Sequence, residues 1–314
     1  MSKIKLGIIG AGSISEKHLE VLSSLDNISI EAISSRTLSK AKKLAKKFNI
    51  KFVYKDYLDF FSKLNLDGIL ILVSPENIYK VTKILLKYKK PLFIEKPIGL
   101  NISETEKLIN SNKIYKTLTM VGLNRRFYSV FHKGIKKINE KGKLLGLHIE
   151  GHERFWKINN ILSSKIRNNW IYVNSIHTID LLNFFGGKII KTSNIVSQYN
   201  EKKGDNFISI IKFKSGTLGS YNSFWYSPGG WTVTLFGEGI TIKFSPLENG
   251  TIIDNKFIIK KIIPSKEDIY FKPGFYKQMQ YFIKLIKNKK NTWPAISIEN
   301  VYESVKTAKM ISKF

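Results

Sequence analysis

The chain has 314 residues, 43% of them hydrophobic, enough to build packed cores in two domains. Its net charge of +28 is carried by 47 lysines spread through every segment and only five arginines, which argues against the concentrated, arginine-bearing surface of a nucleic-acid reader. There is no cysteine and no apolar run near the roughly 18 residues of a membrane span, so disulfides, thiolate metal sites and a membrane partner are excluded, no metal is expected, and a cytoplasmic location follows.

The first 123 residues alternate strand and helix patterns. Ile4 to Ile9 reads as a first strand and Ser15 to Ser24 as a helix; Ile28 to Ser34 is a second strand, followed by a helix over Leu38 to Phe48 with Leu44, Ala45 and Phe48 at helical spacing. Lys51 to Tyr54 predicts a short strand, Tyr57 to Leu64 a helix, and Gly68 to Val73 a buried strand stopped by Ser74-Pro75. Ile78 to Tyr88 is helical, Pro91 to Ile94 a strand, Ser103 to Asn110 a helix opened by a Ser103/Glu106 capping box, and Thr117 to Gly122 a sixth strand. Such alternation implies a doubly wound parallel sheet of the α/β class over residues 1–123.

After Asn124 the pattern changes. Helical pieces over Val130 to Lys141 and Asn174 to Phe185 precede strand-like runs at Phe207 to Lys214, Thr217 to Phe224, Trp231 to Gly237 and Ile240 to Phe244, with Ser215-Gly216 and Glu238-Gly239 as turns. Helices over Phe275 to Lys287 and Ile298 to Lys313 follow. Residues 124–314 are therefore expected to form one α+β domain with a mostly antiparallel sheet.

Gly10-Ala11-Gly12-Ser13-Ile14-Ser15 is a GxGxxG variant with serine in the third glycine's place. Gly10 permits the tight turn, Gly12 lets a pyrophosphate approach the backbone, and Ser13 and Ile14 lead into the helix N-terminus, whose free N–H groups favour an anion. The match follows a strand and begins a βαβ unit, which is what gives it weight as an NAD(P) site. An acidic residue at the tip of the second strand would bind the ribose 2′-OH of NAD; the tip here is Ser34-Ser35-Arg36, and Glu31 comes too early. The three side chains suit a 2′-phosphate, so NADP(H) is favoured over NAD(H); Arg36 stacking on adenine is the alternative.

Glu95-Lys96-Pro97 follows the apolar run ending at Ile94. Strand ends in an open parallel sheet face the ligand crevice, so Lys96 lies where it can reach a substrate beside a nicotinamide.

With GIIGAGSIS and EKP, the sequence carries Leu66-Asp67-Gly68-Ile69 leading to Ser74-Pro75-Glu76-Asn77, then Gly122-Leu123-Asn124-Arg125-Arg126-Phe127, His177-Thr178-Ile179-Asp180-Leu181-Leu182 and Phe213-Lys214-Ser215-Gly216-Thr217-Leu218-Gly219. In these elements, over nearly its whole length, the chain resembles the family of glucose-fructose oxidoreductase, inositol dehydrogenase and MocA. The resemblance implies NAD(P)-dependent oxidation or reduction of a sugar, polyol or nucleotide-linked sugar, and a homo-oligomer built through the second domain. It implies cofactor contacts at Ser74, Pro75, Asn77, Glu95 and Lys96, with Lys96 against the reacting oxygen and His177 as acid/base.

Where that family carries an aspartate four residues before the histidine, this chain has Val173. Asp180, at i+3 from His177, is expected to orient the imidazole instead, and Asn174 or Ser175 to cap the helix so that its dipole keeps His177 neutral. Trp170, Tyr172 and Asn174 lie in an amide- and aromatic-rich stretch suited to sugar hydroxyls, and Arg125 is a further candidate for the substrate or nicotinamide; packing or a salt bridge is the other reading of each. Val173 also keeps open a protein that binds dinucleotide as a sensor or scaffold without efficient turnover.

Overall fold

The computed structural model describes residues 3–158 and 161–314. The chain forms two compact units, one running to Asn124 and taking in Tyr270–Tyr302, the other made of Arg125–Ile269 and Glu303–Phe314. The first boundary falls one residue from the expected break, but the expected continuous domain over 124–314 is replaced by a chain that crosses back.

In chain order the first unit builds β1 (Ile4–Ile9), α1 (Ser13–Leu22), β2 (Ile28–Ser34), α2 (Leu38–Phe48), β3 (Phe52–Tyr54), α3 (Asp59–Lys63), β4 (Gly68–Ile71), α4 (Pro75–Leu86), β5 (Leu92–Glu95), α5 (Ile102–Tyr115) and β6 (Thr119–Gly122). The six strands pair in parallel in the order β3-β2-β1-β4-β5-β6, the doubly wound arrangement. Strands β4, β5 and β6 are buried at every residue, as strands covered on both faces must be, which is why they read as apolar runs without alternation. The capping box of α5 lies two residues before the expected one. Asn101 accepts from the Glu104 N–H, and the Glu104 carboxylate accepts from the Leu100 N–H at 2.8 Å, closing the helix start before Ser103.

The second unit holds α6 (Ser129–Lys141), β7 (Leu144–Gly151), α7 (Ser164–Arg167), α8 (Ile176–Gly186), β8 (Ile189–Ser197), β9 (Asn206–Phe213), β10 (Leu218–Phe224), β11 (Trp231–Gly237), β12 (Ile240–Phe244), β13 (Gly250–Asp254), β14 (Ile259–Ile262) and α9 (Lys266–Tyr270, its last residue grouped with the first unit). Its eight strands run β14-β13-β12-β11-β7-β10-β9-β8, antiparallel except where β7 meets β10. Four of them, β7, β8, β13 and β14, went unread in the sequence, because polar residues within them, such as His148 and Glu150 in β7, Lys191 and Thr192 in β8, Thr251 in β13 and Lys260 and Lys261 in β14, break up the apolar signal.

Helix α10 (Phe275–Asn288) belongs to the first unit, and α11 (Tyr302–Ser312) mostly to the second. The return of α10 has a packing cause: Phe282 meets Phe93 of β5 edge to face at 5.7 Å, and Gly68 of β4 leaves room for Phe282 and Ile286. The sheet face over β4 and β5 needs that apolar cover.

Candidate active site

A cleft of about 650 Å³ opens in the first unit where β1, β2 and β4 end. Gly10 sits at φ +113°, and a side chain there would run into the Leu72 carbonyl, so the turn demands glycine. Gly12 begins α1 with no side-chain cap on the first turn, and a Cβ built on it meets no protein atom within 4 Å. The glycine thus leaves the cleft open beside the start of α1, where Ser13 and Ile14 line it and their N–H groups suit an anion. Ser15 is fully buried on α1, which fits a small residue where helix and sheet pack closely.

Ser34, Ser35 and Arg36 all line this cleft, as do Ser74, Pro75 and Asn77. Ser34 is buried, and its hydroxyl donates to the Lys55 carbonyl at 3.4 Å, whereas Ser35 and Arg36 lie at the partly exposed tip beyond β2. Asn77 donates to the Ser74 hydroxyl at 2.7 Å, and Pro75 supplies the first residue of α4. Three cleft cations escaped the sequence reading, Lys40, Lys55 and Lys80. Lys40 lies in the first turn of α2, Lys55 comes directly after β3 and Lys80 sits on α4, so their positions were available but lost among 47 lysines. The cleft fits a dinucleotide: an apolar floor, a helix start for the pyrophosphate, and hydroxyl and cationic groups at the ribose end.

Glu95 closes β5 and Lys96 is the next residue, so Lys96 stands at the same carboxyl edge of the sheet as Gly10, with β4 between their strands. The Glu95 carboxylate is buried. One oxygen accepts from the Lys96 backbone N–H at 3.0 Å, and the other lies 3.0 Å from Nε2 of His18, a fully buried residue of α1. His18 was also missed, although it falls one turn beyond Ser15 on the inward face of α1.

In the second unit, His177 lies near the start of α8, but not at a free helix end. A π-helical turn over Ile171–Ser175 runs straight into α8, with Ser175 in right-handed helical backbone and no side-chain cap. Asn174 and Ser175 instead donate to the two oxygens of buried Glu153, each at 2.7 Å. The expected dipole effect on His177 therefore gives way to a direct contact: Arg125 Nη1 lies 2.7 Å from His177 Nε2. A guanidinium can only donate, so Nε2 accepts and the ring is neutral in this arrangement. Arg125 also stacks over Trp231, 4.9 Å from its centroid.

Asp180 is partnered by Arg126 and Ser304 and not, as expected, by His177. Its carboxylate takes two hydrogen bonds from Arg126, each 2.7 Å, and a third from Ser304 at 2.7 Å. An i+3 position is compatible with contact but does not secure it, and the bidentate guanidinium is the stronger partner. Tyr172 is buried, its hydroxyl donating to the Phe314 carbonyl at 2.7 Å, and Trp170 meets Phe155 edge to face at 5.9 Å. Tyr172, Trp170 and Asn174 thus have protein partners where substrate contacts were expected. Among the described residues no group of three or more histidines and carboxylates could hold a metal ion, and no helix is long and apolar enough to cross a membrane.

Residues 4–123 match the family model described as "Oxidoreductase family, NAD-binding Rossmann fold". A myo-inositol 2-dehydrogenase of Thermotoga maritima is 26% identical over 69% of this chain and 67% of its own length. The scyllo-inositol 2-dehydrogenase (NADP(+)) IolU of Bacillus subtilis is 22% identical over 99% of this chain and 95% of its own. The crystal structure of a dehydrogenase from Chromobacterium violaceum superposes with a TM-score of 0.85 at 19% identity, covering 100% of this chain and 95% of that one, which shows a shared fold.

Proposed function

The chain belongs to the Gfo/Idh/MocA family of oxidoreductases, and from that premise we propose that it moves a hydride between NAD(P) and a hydroxyl or carbonyl carbon of a sugar, polyol or nucleotide-linked sugar. One observation carries the reading. Gly12, open to a ligand, and Lys96, held past the end of β5, share the carboxyl edge of one parallel sheet. Bound there, the nicotinamide supplies or accepts the hydride. The inositol-acting relatives support a polyol or sugar as its partner.

Lys96 steadies negative charge on the substrate oxygen as the carbonyl forms or is reduced. His177 exchanges the oxygen's proton: its ring is neutral, as a base must be, and Arg125 yields the Nε2 lone pair when that proton arrives. Arg125, broad and planar over Trp231, also offers a polar edge to substrate hydroxyls. Arg36, aided by Lys40 and Lys55, favours NADP(H) by pairing with a 2′-phosphate. The chain acts as a homo-oligomer: Ile195, paired to Ile208 across β8 and β9, and Ile210 and Leu218 beside them expose an apolar patch on the open face of the second sheet.

A second reading, a dinucleotide-binding sensor or scaffold, draws on Val173 and on the commitment of Asp180 to Arg126. One panel separates the two: unfolding temperatures with NAD(H) and NADP(H), alone and with free polyols, sugars and nucleotide sugars, beside formation of reduced nicotinamide. Dinucleotide stabilisation with turnover of some sugar or polyol supports the enzyme; stabilisation without turnover across the panel supports the sensor.

A further inference from the structure

The His18–Glu95 pair is a buried ionisable contact in the first unit that the mechanism above leaves unused. His18 projects from α1, the helix that opens the dinucleotide motif, and its ring is fixed between two aromatic residues, Phe275 at 4.5 Å and Phe93 at 5.0 Å. Its Nε2–H donates to Glu95 Oε1 at 3.0 Å, and Glu95 Oε2 accepts from the Lys96 N–H at 3.0 Å. Glu95 is the last residue of β5 in the ladder, opposite Gly122, and a Cβ on Gly122 would press within 3.1 Å of the Glu95 carboxyl carbon. The glycine therefore makes room for this particular placement of the carboxylate.

We infer that His18 is a positioning residue for Lys96: it holds the Glu95 carboxylate as a bracket around the Lys96 backbone and so couples the dinucleotide helix to the placement of the lysine. A buried carboxylate with one of its partners removed seeks another or reorients, and Lys96, one residue beyond the last ladder pair, moves with it. Displacements of about 1 Å at a reacting group cost on the order of 10²-fold in rate, so a modest shift of Lys96 is measurable. The inference rests on the role given to Lys96 above, and its test includes a readout that needs no substrate.

His18→Phe keeps a ring against Phe93 and Phe275 and removes the donor, and His18→Gln returns an N–H at similar reach. His18→Asn falls short of Glu95 and stands in for His18→Phe should that variant not fold. Residue-resolved hydrogen exchange on the full chain reads the Lys96 amide, and steady-state kinetics with NAD(P) and the sugar or polyol turned over reads kcat and KM. His18→Phe is expected to speed exchange at Lys96 about tenfold or more and to lower kcat about tenfold, with the dinucleotide KM within about twofold and β2 amides unchanged. His18→Gln restores both.

Unchanged Lys96 exchange in His18→Phe overturns the inference, as does equal loss in the Phe and Gln variants accompanied by faster exchange throughout the unit, which marks a merely structural contact. Faster exchange at Lys96 in an enzyme whose Lys96→Met variant turns over normally leaves the bracket standing and removes the catalytic role of Lys96.

Discussion

Arg126 grips Asp180 through two hydrogen bonds of 2.7 Å, and both side chains are buried. Removing one charge from such a pair strands the other, at a cost of roughly 3–5 kcal/mol. Asp180→Asn is therefore expected to destabilise the protein by about that amount in denaturant titration while kcat of the folded fraction changes little. A loss of kcat with unchanged stability would return Asp180 to the site.

His177 is expected to behave in the opposite way. His177→Ala should lower kcat roughly 10²-fold, since it removes the proton-exchanging group, with dinucleotide affinity kept. Stopped-flow measurement of hydride transfer checks this directly; a normal rate would send the proton through another group.

Much of the first unit was legible because parallel strands covered on both faces leave bare apolar runs, and β1, β2 and α2 fall at their expected bounds. The glycine motif and Lys96 were readable for a related reason: backbone constraints leave few residue types at a turn or strand end. The partners of Asp180, Tyr172 and His18 were hidden, because Ser304, Phe314 and Glu95 lie 124, 142 and 77 positions away in sequence. Spacing on one helix says which face a residue occupies and nothing of what the fold brings to that face.

Arg36 should decide the cofactor. Arg36→Ala is expected to weaken NADP(H) by about tenfold or more and NAD(H) little, because a charged hydrogen bond to phosphate is lost in one case only. Binding followed by reduced-nicotinamide fluorescence checks it; equal weakening of both would favour stacking on adenine.

Tyr172 gives a pH signature. Burial pushes its phenol up to about 12, against about 10 in the unfolded chain, so its contribution is full below pH about 10 and is lost as pH rises through 12. Tyr172→Phe should be less stable than the parent at neutral pH by about 1 kcal/mol, from the lost bond to Phe314, and should lose less stability than the parent between pH about 10 and 12. Its kcat should be unchanged, and a lowered kcat would mean that Tyr172 joins the proton exchange.

The proposed hydride transfer is tested most directly by comparing the parent protein with Lys96→Met, following reduced nicotinamide under single turnover with a sugar or polyol identified in the panel. The expected result is a fall in the hydride-transfer rate of about 10²-fold or more, with dinucleotide affinity within about twofold, because a contact made to the transition state alone has been removed. A Lys96→Met protein that transfers hydride at the parental rate would contradict the assignment of the reaction to the end of β5.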